Sequence, residues 1–174
     1  RENGEYQAAI KNLQKALKLN PEDARIHNNL GLAFHDFQEH DTALDSFKRA
    51  IEIDPNYAEA LNNMGNTFQA KRDPESATDY YKKAILFSPK HGDIYNNLAN
   101  AYKQQSRFKD ALETYQTALQ INPQNPEPHY NLGNMFSEQS DYKHAVESYR
   151  NAIEIKPNYE SARSNKLCAH TFLF

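Results

Sequence analysis

Prolines recur at a constant interval of 34 residues, at Pro21, Pro55, Pro89, Pro123 and Pro157. A fixed period of this length marks a stacked repeat, in which one supersecondary unit recurs and buries its apolar face only against its neighbours. Proline cannot continue a helix, so each of the five closes one helix and opens a short turn, as in Asn20-Pro21, Asp54-Pro55 and Asn122-Pro123. Small residues keep the same interval in two series, Ala9, Ala43, Ala77, Ala111, Ala145 and Ala16, Ala50, Ala84, Ala118, Ala152. Four residues after the first series stand Leu13, Phe47, Tyr81, Tyr115 and Tyr149, which therefore share its helical face. That face is expected to be buried.

The other half of each period carries Leu30-Gly31, Met64-Gly65, Leu98-Ala99 and Leu132-Gly133, followed by Phe34, Phe68, Tyr102 and Phe136. A large apolar residue beside a minimal one predicts a close helix crossing. The spacing places first helices near residues 24–37, 58–71, 92–105 and 126–139, and second helices near 41–54, 75–88, 109–122 and 143–156. Residues 7–20 read as the second helix of an earlier repeat, and 160–173 as another first helix. The expected organisation is a single array over 1–174: a partial repeat at 1–23, full repeats at 24–57, 58–91, 92–125 and 126–159, and a terminal helix at 160–174.

This 34-residue order of large, Gly or Ala, aromatic, Ala, aromatic, Ala and Pro resembles the tetratricopeptide repeat family along essentially the whole chain. The family's tryptophan near the start of the first helix is replaced by His27, Leu61, Tyr95 and His129. The resemblance implies an all-α, right-handed superhelical solenoid of antiparallel helix pairs, with the first helices lining a concave groove. It also implies a protein or peptide ligand in that groove.

Asparagine dominates the groove positions. One series at the same interval is Asn29, Asn63, Asn97, Asn131 and Asn165; beside it run Asn28, Asn62 and Asn96, giving way to Tyr130. Asn66, Asn100 and Asn134 follow three residues after the middle members, on the same helix face. An amide both donates and accepts, which matches an extended peptide backbone. Asn28, Asn29, Asn62, Asn63, Asn66, Asn96, Asn97, Asn100, Tyr130, Asn131 and Asn134 are therefore the candidate peptide-binding residues. The family's clamp on a terminal carboxylate needs Lys and Arg where this chain has Asn28, Asn62, Asn96 and Tyr130, while Glu59, Asp93 and Glu127 stand at the rim. The pattern is more similar to peroxisomal import receptors and to the repeat arm of O-linked N-acetylglucosamine transferases. Residues 157–167 also resemble the last repeat of bacterial transferases whose array runs into a catalytic domain. The functions that follow are a non-catalytic interaction scaffold holding an extended peptide or a helix in the groove, or the substrate-recruiting arm of a larger enzyme such as a glycosyltransferase; a self-assembling structural scaffold is a third reading.

The last helix departs from the pattern. Lys166 takes the apolar position and Leu167 the Gly/Ala position, leaving a solvent-facing cap, a junction to a further domain or a vector-derived tail as readings. The apolar run Phe172-Leu173-Phe174 makes this end able to self-associate. With 20 Lys+Arg against 23 Asp+Glu and a net charge of -3, the chain lacks the positive field of nucleic-acid or anionic-membrane binders. No apolar run approaches the ~20 residues of a membrane span. The histidines include no pair at i+4 spacing, so no metal or other cofactor is expected, and no nucleophile elbow or phosphate loop suggests an enzyme. Cys168 is alone, which excludes an internal disulfide. The start at Arg1 reads as part of something longer, and cytoplasm is the default compartment.

Overall fold

The computed structural model describes the backbone of residues 2–173 and the side chains of residues 7–173. Its described residues form helices and turns, with ten α-helices in chain order. The chain divides into two compact units, residues 1–89 and 90–174. In the first unit α1 (Glu2–Leu19) precedes two helix pairs, α2 (Ala24–Asp36) with α3 (His40–Ile53) and α4 (Ala58–Ala70) with α5 (Pro74–Phe87). The second unit contains α6 (Gly92–Gln104) with α7 (Phe108–Ile121), α8 (Pro126–Glu138) with α9 (Tyr142–Ile155), and the closing α10 (Glu160–His170). Among the described residues no helix is long and apolar enough to cross a membrane.

The ends of the second helices follow from proline. Asp54, Ser88, Asn122 and Lys156 each precede a repeat proline and leave the helical region, with φ between -124° and -137°. A proline ring excludes the helical conformation from the residue before it. Each of these residues still donates its N–H to the carbonyl of a buried alanine, Ala50, Ala84, Ala118 or Ala152, at 2.9 Å.

First helices end differently. Gln38, Arg72, Ser106 and Ser140, again 34 apart, have φ from 58° to 63°. The next residue in each case returns its N–H to the carbonyl of the helix aromatic, Phe34, Phe68, Tyr102 or Phe136, at 2.9 Å. This is a Schellman closure built without glycine, so its left-handed residue costs of the order of 1 kcal/mol that the pairing around it must offset. Gly4 stands at the same register position but lies within α1. The first helix therefore starts at Glu2, ahead of the expected residue 7.

Packing centres on the crossing predicted from the small residues. Phe47, Tyr81, Tyr115 and Tyr149 are at most 1 % exposed, and the two alanine series beside them are equally buried from Ala43 onward. An ideal Cβ on Gly31, Gly65 or Gly133 would lie 2.5–2.6 Å from the ring of Phe47, Tyr81 or Tyr149 respectively. Glycine is there because a ring occupies the space of a side chain.

Candidate functional site

The asparagines sit on the first helices, where α2 lies against α4 in the first unit, and α8 lies against both α6 and α10 in the second. Two kinds of bond recur among their amides. In one, an asparagine of the main series reaches back 35 residues: Asn63 Nδ2 donates to Asn28 Oδ1 at 3.0 Å, Asn131 Nδ2 to Asn96 Oδ1 at 3.0 Å, and Asn165 Nδ2 to the Tyr130 hydroxyl at 3.3 Å. Tyr130 thus supplies the acceptor that asparagine supplies one repeat earlier. Asn28 is fully buried, and its own Nδ2 donates to Glu59 Oε1 at 3.2 Å. A carboxylate can only accept, so Glu59 fixes which way the Asn28 amide points and, through it, that of Asn63.

In the other kind of bond, a core phenol donates upward to the amide carbonyl of its own repeat. Tyr81 Oη reaches Asn66 Oδ1 at 2.7 Å, Tyr115 Oη reaches Asn100 at 2.5 Å, and Tyr149 Oη reaches Asn134 at 2.8 Å. Burial pushes all three phenols above their ordinary pKa, which keeps them protonated and able to donate. The first full repeat lacks both partners at once: Leu32 stands where the asparagine would be and Phe47 where the tyrosine would be, in one apolar cluster. The chain therefore carries its own control. Asn100→Leu is expected to cost about 1–2 kcal/mol by stranding the Tyr115 hydroxyl, and adding Tyr115→Phe is expected to restore most of it. A urea double-mutant cycle reads this directly, and additive losses contradict the pairing.

Of the candidate residues, Asn28, Asn63 and Asn96 are buried, at 0 %, 8 % and 8 % exposure. Asn62, Asn66, Asn97, Asn100, Tyr130, Asn131 and Asn134 are half-buried, and Asn29 is exposed. Asn29 also makes no bond among the described residues. Asn29→Ala should accordingly leave stability within roughly 0.5 kcal/mol. Asn63→Ala should cost about 1–2 kcal/mol, because it strands the buried Asn28 carbonyl. Thermal or urea unfolding of the two variants checks this, and similar behaviour in both contradicts the asymmetry.

What remains open for a ligand is best defined on α6 and α8. Asn131 has spent one N–H, and among the described residues its Oδ1 and second N–H are unpaired. Asn100 and Asn134 have spent their carbonyls and still offer their N–H groups. The internal bonds hold these amides in place without saturating them. Beside them a cavity of about 320 Å³ opens among Lys103, Asn134, Ser137, Tyr142, Asn165 and Phe172. Lys103 Nζ donates to Glu138 Oε1 at 2.8 Å, so these two lining residues carry no net charge between them. Three further neighbours were not recognised from sequence: the tyrosine phenols, the Lys103–Glu138 pair and Ser137. Two signals were available, the joint change at 32 and 47 and the spacing of 35 that Lys103–Glu138 shares with the ladder.

The rim carboxylates are also engaged. Glu127 Oε2 accepts from the Tyr159 hydroxyl at 2.7 Å, and burial followed by that carboxylate raises the Tyr159 phenol pKa. Asp93 Oδ1 accepts from Asn125 Nδ2 at 2.8 Å. Among the described residues no three His, Cys, Asp or Glu side chains cluster as a metal would require.

Helix pairs of this length, locked by alanine and glycine crossings at a 34-residue interval, define a helical repeat protein. Family models for the tetratricopeptide repeat match residues 22–85, 80–113 and 126–159, and a TPR repeat model matches 1–37 and 99–140. The chain belongs to the tetratricopeptide repeat family. Among solved structures it is similar to MamA, at 23 % identity over 92 % of this chain and 94 % of that one, with a TM-score of 0.77. A MamA fragment from Desulfovibrio magneticus RS-1 aligns at 20 % identity over 91 % and 89 %, with a TM-score of 0.78. YrrB, a TPR protein with an unusual peptide-binding site, aligns at 24 % over 94 % and 84 %, with a TM-score of 0.73. At these identities the likeness establishes the fold alone. No curated protein sequence matches the chain significantly.

Proposed function

We propose that this chain is a non-catalytic protein-interaction scaffold that holds an extended peptide across the amide-bearing face of its first helices. The observation that carries the reading is the residual valence of the ladder: on α6 and α8, Asn100, Asn131 and Asn134 present N–H groups and one carbonyl that no described residue uses. Neighbouring helices lie about 8–10 Å apart and an extended strand advances about 3.3 Å per residue, so one amide meets roughly every third peptide residue. Such contacts read backbone, and the 320 Å³ cavity beside Asn134 is of a size to take one side chain of the same peptide. A scaffold of this kind needs no acid, base or metal. YrrB, with its peptide-binding site, is a fold relative consistent with this use of the architecture.

The 34-residue register runs through Pro89 without insertion. A recruiting arm of a larger enzyme would use the same face in the same way, and differs only in what the array is joined to. Selecting extended peptides on the immobilised chain, then titrating them against a chain lacking Asn97 and Asn131 amides, tests the proposal.

A further inference from the structure

A second surface, on the opposite side of α10 from the ladder, carries a different chemistry. In the four preceding first helices the positions that meet the second helix are His27, Leu61, Tyr95 and His129; Leu30, Met64, Leu98 and Leu132; Gly31, Gly65, Ala99 and Gly133; and Phe34, Phe68, Tyr102 and Phe136. On α10 the same four places hold Arg163, Lys166, Leu167 and His170, one stripe at i, i+3, i+4 and i+7. With Ile153 of α9 these four side chains line a cavity of about 450 Å³. Leu167 is 71 % exposed in the middle of the stripe. Arg163 and Lys166 form no ion pair among the described residues, although the arginine one helix back, Arg150, faces both Glu147 and Glu154.

A second helix of the usual kind does not fit here. Its aromatic would come to 2.5–2.6 Å of a bare Cβ at the crossing, as at Gly31, Gly65 and Gly133, and Leu167 adds a whole isobutyl group at that point. A second copy meeting this face across a two-fold axis would bring Arg163 and Lys166 against themselves or each other, and like charges at an interface are unfavourable. Leu167 and Ile153 still offer an apolar floor, and among the described residues neither Arg163 nor Lys166 has an ion-pair partner. We infer that the outer face of α10 is a docking site for an acidic peptide segment that inserts one large apolar side chain beside Leu167 and pairs its carboxylates with Arg163 and Lys166. The site is separate from the amide-bearing face and does not depend on it.

The test uses the whole chain and two synthetic probes: a fluorescein-labelled peptide of glutamate and alanine with one leucine per helical turn, and its counterpart with lysine for glutamate. The acidic probe is expected to bind saturably and the basic probe not. Raising salt should weaken binding steeply, because the attraction is between exposed charges. Arg163→Glu with Lys166→Glu should reduce affinity at least roughly tenfold, and Leu167→Ser should reduce it as well. These positions are at the surface, so far-ultraviolet circular dichroism should report an unchanged fold. Equal binding of both probes, absence of binding by the acidic one, or indifference to the charge reversals overturns the proposal. So does a concentration-dependent doubling of mass in light scattering that Leu167→Ser abolishes, which would assign the face to a second copy. A groove peptide that still binds the α10 variants separates the fate of this site from that of the ladder.

Discussion

Gly65→Leu is expected to destabilise the folded chain by about 3 kcal/mol, the upper range for overfilling a packed core. A Cβ at this position already lies 2.6 Å from Tyr81 Cε1, and Tyr81 has nowhere to go. Its ring is fully buried, Ala77 and Ala84 flank it at 0 % exposure, and its hydroxyl is bound by Asn66 and Gln69, each at 2.7 Å. Pushing the ring aside therefore breaks packing and strands a phenol in one step. The chain also indicates how much can be absorbed, since Ala99 occupies the same register position opposite the buried Tyr115. One methyl is therefore accommodated at that crossing. Gly65→Ala is thus expected to cost about 1 kcal/mol, and the isobutyl group of leucine the larger amount. Urea unfolding at constant m-value measures both, and a Gly65→Leu chain as stable as the parent would contradict the crossing.

The elements were legible because their signals are coarse and repeated. The expected helices at 41–54, 75–88 and 109–122 correspond to His40–Ile53, Pro74–Phe87 and Phe108–Ile121, a displacement of one residue. Proline and alanine fix these positions by backbone geometry and close approach, effects that a single side chain decides. The turns after the first helices were less legible. Their left-handed residues are Gln38, Arg72, Ser106 and Ser140, none of them the glycine that advertises such a turn. What holds them there is pairing in three dimensions.

The amide site was half legible. Periodicity at 34 found the asparagines, but their mutual bonds span 35 residues, or 31 for Asn165 to Asn134, because they step diagonally between helices. A reading by identical register positions lines up Asn63 with Asn131, whereas their bonds run to Asn28 and Asn96. It also treats Asn28 and Asn29 alike, although one is fully buried and the other exposed. Which amide is structural depends on whether a neighbouring helix supplies its partner, and a lone sequence position carries no such information.

Under the proposed function the amides on the first helices have two duties, and the second must survive the first. Replacing Asn97 and Asn131 by alanine removes the Asn131–Asn96 bond and the interaction that Asn97 itself makes, so some loss of stability is expected, on the order of 1 kcal/mol. Affinity for a selected extended peptide should fall further, by about 2 kcal/mol or roughly thirtyfold, since two amides that would each meet the peptide backbone are lost. Amides have no net charge, and the nearby Lys103 and Glu138 neutralise each other. Binding should then change only weakly with salt, unlike attraction between exposed charges, which is screened within about 10 Å at 0.1 M. The decisive measurement is calorimetric titration of that peptide into the parent and the Asn97→Ala/Asn131→Ala chain at low and high salt, well below the unfolding temperature of both. A roughly thirtyfold loss with a shallow salt dependence in the parent is the predicted result. Undiminished affinity in the variant, or steep salt dependence in the parent, would mean that the asparagines only hold the helices together and that charged residues bind the partner.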